Sequence, residues 1–165
     1  MMRQLNITDK FWIGKKIFSE ENSNTIMAFM NNLALSLSSL NRCEEALPLQ
    51  EKVLSIHVKT LGEENSTTLD DADAVADTLN KLGHRAEAIA LQRDTLAKCK
   101  KIFDEAHPLT ITCKKNLAEM LLRNGEREEA GKLVEEAVSI ARQVFGVEHS
   151  KTKEILELRE NFLNK

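Results

Sequence analysis

Leu33-Ala34-Leu35-Ser36-Leu37 has two close counterparts further along the chain, Val75-Ala76-Asp77-Thr78-Leu79 and Leu117-Ala118-Glu119-Met120-Leu121, each 42 residues after the one before. Other positions keep the same phase. They are Asn41, Gly83 and Gly125; Ala46, Ala88 and Ala130; and Thr68, Thr110 and Thr152. A fixed period of about 20–50 residues is the mark of a protein built from stacked structural repeats. The sequence therefore predicts tandem units of one kind.

Each unit reads as two helices. In the middle unit Val75, Leu79 and Leu82 follow the i, i+4, i+7 spacing of one apolar helix face, and Gly83 is expected to end that helix in the left-handed conformation. The next helix is apolar on two sides, one carrying Ile89, Leu96 and Phe103 and the other Ala88, Leu91, Thr95 and Ile102. A helix that is apolar on two sides is packed between neighbours, as stacking requires.

Composition supports an all-α fold. The chain has 165 residues with two prolines, six glycines and no tyrosine, and Ala, Leu, Glu and Lys are strong helix formers. The 23 basic and 26 acidic side chains give a net charge of −3, which argues against a strongly basic nucleic-acid binder. No apolar run is long enough for a membrane span. Three cysteines without a CxxC pair fit reduced thiols in a cytoplasmic protein.

The repeat phase divides the chain into a single repeat domain over 1–165. The predicted units are a second helix of a half-repeat over 5–23, repeats over 24–66, 67–108 and 109–150, and a terminal capping helix over 151–165. Three side-chain roles are expected. Leu33, Ala34 and Leu37 should face the second helix, Asp70 and Asp71 should lie in the first turn of theirs, and His107 and His149 should brace the backbone of the inter-repeat turns.

The pattern resembles tetratricopeptide repeats of the 42-residue, kinesin-light-chain-like subclass. Asn31-Asn32-Leu33-Ala34 and Leu61-Gly62-Glu63-Glu64-Asn65-Ser66 match most closely, and the resemblance covers about residues 11–163. It implies a right-handed α-solenoid of stacked antiparallel helix pairs whose first helices line a concave groove that holds segments of other proteins. In that subfamily the paired Asn positions and nearby basic residues hold acidic peptides. Here the corresponding pairs are Asp73-Ala74 and Lys115-Asn116.

The candidate site is the free face of the first helices. The predicted peptide-binding residues are Asn31, Asn32, Leu35, Asp70, Asp73, Asp77, Lys115, Asn116, Glu119 and Arg123. Two interpretations of the acidic middle helix stay open: a binding face for a basic or N–H-rich segment, and a solvated face with acidic residues favoured near a helix N-terminus. For the Asn side chains the alternatives are a grip on a peptide backbone and ordinary helix-surface positions.

Other functions find no support in the motifs. No catalytic or phosphate-binding pattern occurs, and no spacing typical of a zinc site, so we predict no catalytic residue, metal or cofactor. Lys98, Lys100 and Lys101 with Arg93 form a short basic patch, but stacking aromatics are scarce, so no nucleic-acid partner is expected. The predicted function is a non-enzymatic scaffold or adaptor that is a monomer or weakly self-associating. The alternative is a structural, self-associating or sensor segment of a larger signalling protein.

Overall fold

The protein is a row of antiparallel helix pairs. The structure, a computed structural model, describes residues 25–163, and these contain only helices and short turns. The helices are α1 (25–39), α2 (Cys43–Leu61), α3 (Ser66–Leu82), α4 (Arg85–Ile102), α5 (Pro108–Asn124), α6 (Arg127–Val144) and α7 (Ser150–Leu163). The first residues of α3, α5 and α7 are 42 positions apart, as the sequence period requires.

Left-handed residues separate the two helices of each pair. Gly83 (φ 88°) ends α3 and Gly125 (φ 87°) ends α5. Asn41, at the same repeat position, has φ 60° between α1 and α2. This conformation costs glycine nothing and is tolerated by Asn. The prediction for Gly83 is confirmed.

The turns between pairs are closed by a side-chain acceptor at one repeat position. Asn65 Oδ1 accepts the backbone N–H of Thr67 at 2.9 Å. The imidazole Nδ1 atoms of His107 and His149 accept the N–H groups of the second residues of α5 and α7, each at 3.2 Å. Both rings also stack on a phenylalanine, Phe103 and Phe145 respectively. The predicted bracing by the two histidines is confirmed, and the bond is an N-cap that satisfies an otherwise free helix donor.

Stacking buries one core that runs from α3 to α7. Each helix from α2 onward packs on the next, and α3 also contacts α5, as α5 contacts α7. Ala46, Ala88 and Ala130 are 0% exposed, because their single methyl group lets two helices approach closely. We call α1, α3, α5 and α7 the first-helix row. The fold is an all-α solenoid.

Two expectations need correction. Asp70 and Asp71 are the fifth and sixth residues of α3, beyond its first turn, so the positive helix end does not explain their presence. Leu33 is 52% exposed, although Ala34 (0%) and Leu37 (8%) are buried as predicted. The equivalents of Leu33, which are Val75 and Leu117, are buried. Their helices, α3 and α5, each pack on the helix before and the helix after.

Two parts of the domain prediction fall outside the described residues. These are the half-repeat helix over 5–23 and the last residues of the capping helix, 164–165. Within the described part of α7, Ile155 is 2% exposed and Leu158 packs against the main core. No helix in residues 25–163 is both long and apolar enough to cross a bilayer.

Candidate protein-interaction face

The ten predicted groove residues all lie on α1, α3 and α5 of the first-helix row, but they differ in how free they are. Asp73 and Asn116 bind each other: the Asn116 amide donates to both carboxylate oxygens of Asp73, at 3.1 and 2.9 Å. Gln92 of α4 donates to the same carboxylate at 2.5 Å and to the carbonyl of Cys113 at 3.3 Å. This network links three helices, so the fold holds Asp73 and Asn116 in place.

Four more predicted residues are engaged in ion pairs on the same face. Lys81 contacts Asp77 at 2.6 Å, and Arg123 contacts Glu119 at 2.6 Å, each within one helix. Lys115 reaches Glu154 of α7 at 3.5 Å. Exposed pairs of this kind exchange easily with a ligand because each contributes little stability.

Asp71 was not among the predicted site residues, yet it links α1, α2 and α3. The Nδ1–H of His57 donates to one of its oxygens at 2.5 Å, and the amide of Asn31 donates to the other at 3.4 Å. Both members of the His57–Asp71 pair are about nine-tenths buried. A signal for Asp71 was present in the run Asp70-Asp71-x-Asp73, whereas the position of His57 on α2 depends on the fold.

A cavity of about 240 Å³ lies where α1, α2 and α3 meet. Its lining residues are Asn31, Leu35, Gln50, Asp70, Asp71 and Ala74. Three of the ten predicted residues, Asn31, Leu35 and Asp70, are thereby brought together. Gln50 was missed, although a polar residue in a column of buried second-helix positions was a signal for it.

Asp70 is the predicted acid with the least compensation. Its carboxylate has no hydrogen-bond or ion-pair partner among residues 25–163. Loss of hydration, followed by repulsion from Asp73 and Asp71, raises the pKa of Asp70 above its ordinary value; Lys151 and His107 act more weakly in the opposite sense. The repulsion from Asp73 and Asp71, the smaller part of this shift, indicates a negative local potential at Asp70.

The basic patch on α4 is neutralised by acidic neighbours. Arg93 pairs with Glu129, Lys98 with Glu63 at 2.9 Å, Lys100 with Glu105 at 3.3 Å and Lys101 with Glu64 at 2.5 Å. Each of the four cations of this patch therefore has an acidic partner in the fold, and the patch adds little net positive charge to the surface.

The cysteines and possible metal ligands also form no site. Cys43, Cys99 and Cys113 are buried free thiols, with the Sγ atoms of the last two 4.0 Å apart. No three His, Cys, Asp or Glu side chains in the described part of the chain are grouped so that they could hold a metal ion.

Comparison with known families matches the repeats directly. Two tetratricopeptide repeat models match the chain, one over residues 26–66 and the other over residues 72–143. The chain belongs to the tetratricopeptide repeat family. Repeats of this family form non-catalytic scaffolds for protein–protein interaction. Comparison with curated protein sequences finds no match.

Solved structures place these tetratricopeptide repeats among those of kinesin-light-chain type. Similar structures are the nearly identical TPR-like repeats of a Podosopora anserina protein assigned as a kinesin light chain (TM-score 0.77, 25% identity) and a variant of the same protein with one substitution (0.76, 25%). The alignment covers 82% of the present chain and 64% of each of those two chains. The fold is also similar to that of BtubC (BKLC) from P. vanneervenii, with a TM-score of 0.69 and 13% identity. That alignment covers 86% of the present chain and 64% of the BtubC chain.

Proposed function

We propose that the chain binds a basic peptide segment of a partner protein along its first-helix row, at the end formed by α1 and α3. The uncompensated carboxylate of Asp70 beside the cavity carries this proposal. The predicted residues on α5 are engaged with neighbouring side chains. Those near the cavity include Leu35, which is 60% exposed.

Charge on α3 favours a cationic partner. The acidic side chains Asp70, Asp71, Asp73 and Asp77 share this helix with the single cation Lys81, which pairs with Asp77. Asp73 accepts hydrogen bonds from amides only, and amides bring no positive charge. Asp71 is bonded to His57 and Asp77 to Lys81, so the uncompensated negative charge is that of Asp70 and Asp73. Such charge attracts cationic ligands and speeds their association.

The test is a fluorescence-anisotropy titration with labelled oligolysine and oligoglutamate peptides. We expect oligolysine to bind, with an affinity that falls as salt rises, and oligoglutamate not to bind. Asp70→Lys should abolish the binding and preserve the circular dichroism spectrum and melting temperature, because its carboxylate bonds to nothing else. Asp73 is unsuitable for this test because it holds Gln92 and Asn116.

Glu51→Lys is the matched control. Glu51 is exposed on α2, has no ion-pair partner among the described residues and does not line the cavity, so its reversal makes the same change in net charge outside the cavity lining. We expect it to leave most of the affinity. If Asp70→Lys and Glu51→Lys lose the same affinity for oligolysine, the binding depends on net charge alone and the proposed site is wrong. Tighter binding of oligoglutamate than of oligolysine would also contradict the proposal.

A second candidate, self-association, is favoured by exposed apolar side chains on α1. Ile26, Phe29 and Leu33 are 53, 70 and 52% exposed and are spaced to share one helix face. An exposed apolar patch of this kind can bind a second copy. Light scattering over a concentration series checks this. Concentration-dependent dimers that Phe29→Glu abolishes and Asp70→Lys spares would support it, whereas a monomer at all concentrations would exclude it.

A further inference from the structure

The cavity between α1, α2 and α3 has a filled counterpart one repeat later. Moving 42 positions along the chain converts Asn31, Gln50 and Ala74 of the cavity into Asp73, Gln92 and Asn116. Those three residues are the hydrogen-bonded network described above. The Asn116 amide occupies the later junction, whereas Ala74 leaves the corresponding space open at the earlier one.

Gln50 is left without a partner at the open junction. Its side chain is 6% exposed, it lines the cavity, and its Oε1 has no hydrogen-bond partner among the described residues. The equivalent Gln92 also has an Oε1 without a partner, but its amide nitrogen donates to Asp73 and to the carbonyl of Cys113. Gln50 differs because neither its oxygen nor its nitrogen is hydrogen-bonded among the described residues. A buried amide oxygen without a donor is unfavourable, and a ligand that brings a donor removes that penalty.

The acceptors at the cavity specify the donor. Gln50 Oε1 and the Asp70 carboxylate, contributed by α2 and α3, line the cavity without a partner among the described residues. Asp71 also lines the cavity and adds negative charge, but its two oxygens already accept from His57 and Asn31. A lysine ammonium has three donors on a flexible stem and suits separate single oxygens, whereas the planar arginine fork suits one bidentate carboxylate. Leu35 and Ala74 line the same cavity and can pack against an aliphatic stem.

We infer that this cavity is a side-chain pocket for one lysine of the bound segment, whose ammonium takes the place that the Asn116 amide fills at the next junction. The inference rests on the proposed function, since it assigns one residue of the peptide to one subsite. It goes further in naming the chemical group that is recognised and in locating it at Gln50 and Ala74.

The test uses a peptide series in a Gly-Ser background with one central residue: lysine, arginine, norleucine or Nε-acetyllysine. Binding to the full chain is followed by nuclear magnetic resonance titration, including the side-chain amide signal of Gln50. We expect the lysine peptide to shift that signal and to bind at least tenfold more tightly than the norleucine and acetyllysine peptides. Equal binding of lysine and norleucine peptides would overturn the inference.

Two variants test the location. Ala74→Asn copies the later junction and should block the lysine peptide, whereas Ala97→Asn on the exposed face of α4 controls for the helix propensity of Asn. Gln50→Met should weaken lysine binding about tenfold without lowering the melting temperature, because it removes no bond of the free protein. Gln92→Met is its repeat-matched control and should show the reverse, a lower melting temperature with lysine binding retained.

The outcomes separate this inference from the proposed function. If oligolysine binds in an Asp70-dependent way and neither Ala74→Asn nor Gln50→Met affects the lysine peptide, the peptide face stands and the lysine pocket is wrong. If no cationic peptide binds the unmodified chain, both are wrong. A lysine effect that is lost in Ala74→Asn and kept in Ala97→Asn supports both.

Discussion

Gly131 departs from the residue type found at its repeat position, and the explanation lies in the helix that packs against it. Its equivalents in the earlier repeats are Leu47 and Ile89. A Cβ built on Gly131 would lie 2.9 Å from the ring of Phe162 in α7. The phenylalanine therefore fills the volume that a branched side chain fills elsewhere. Arg127 lies over the same ring, 5.0 Å from its centre, and donates to the Phe162 carbonyl at 2.8 Å.

We predict that Gly131→Ala and Phe162→Ala are coupled. Within a helix, alanine in place of glycine stabilises by about 0.5–1 kcal/mol. In the natural chain we expect the clash with Phe162 to cancel or reverse that gain, while in the Phe162→Ala background the full gain should appear. Urea unfolding of the four proteins measures the coupling. An identical effect of Gly131→Ala in both backgrounds would contradict it.

Asp73 and Asn116 mark the limit of residue-level prediction. The repeat period correctly placed both residues on first helices. It also predicted that both side chains are exposed, because periodicity assigns a residue only to a face of its own helix. The bond between them joins positions 43 apart. Whether a polar side chain on that face meets a partner depends on the spacing between stacked helices, which no single-helix pattern contains.

At the scale of elements, Lys114 connects α5 to two other parts of the chain. Its side chain is 2% exposed and pairs with Glu105, in the turn before α5, and with Glu136 of α6, the latter at 2.9 Å. Burial alone would lower the pKa of Lys114, but hydrogen bonds to Glu105 and Glu136 outweigh it and raise that pKa. The hydrogen bond from Lys114 likewise holds the pKa of Glu105 below its usual range.

These shifts give this cluster a pH window. A depressed carboxyl pKa stabilises the fold above the unfolded value, about 4.3 for Glu, and its contribution is lost as pH falls through the folded pKa. A raised lysine pKa stabilises below the unfolded value, about 10.4, and its contribution is lost as pH rises through the folded pKa. The cluster therefore contributes fully from about pH 5 to about pH 10.

We predict that Glu105→Gln lowers the melting temperature at pH 7 and that this loss becomes smaller as pH falls from about 5 to 3, because the contribution of the natural carboxylate is progressively lost below the ordinary Glu pKa, about 4.3. The loss at pH 7 should be at most about 2–4 °C, because Glu105 is half-exposed and water screens its charge. Glu128→Gln breaks the exposed pair with Lys132 and serves as the control with little effect at either pH. A Glu105→Gln loss of equal size at pH 3 and pH 7 would contradict the electrostatic explanation.

For the whole molecule, the sequence predicted the repeat architecture well because every unit repeats one solution. Left-handed residues, capping side chains and small alanines recur at fixed positions. An ambiguous pattern in one unit can therefore be interpreted from the equivalent positions of the others. The candidate site was harder, since binding depends on where the units differ. One such difference is Ala74 at the repeat position that Asn116 occupies in the next unit. Its consequence for binding can be inferred only from the structure, which shows Gln50 buried and unpaired.

Those unit differences also predict where the molecule opens first. Ala34, Leu37 and Ala46 form a small core of their own, separate from the main core of α3–α7. Ile26 and Leu33 are exposed, although their equivalents, Thr68 and Val75 in the second repeat, are buried. A repeat array is stabilised by contacts between neighbours, so among the described residues the repeat with the smallest core is expected to open first.

We therefore predict that residues 5–23, the expected half-repeat helix, protect α1 by packing against Ile26 and Leu33. Native-state hydrogen exchange compares the full chain with one that starts at residue 25. We expect α1 amides to exchange much faster in the shorter chain while α5 and α6 keep their protection, since the main core lies beyond the lost contacts. Leu33→Ser in the full chain should reproduce the effect and Leu40→Ser, exposed just past the far end of α1, should not. Unchanged exchange of the α1 amides in the shorter chain would contradict this prediction, and something other than residues 5–23 would then cover the exposed apolar face of α1. Light scattering would show whether a second copy of the chain does so.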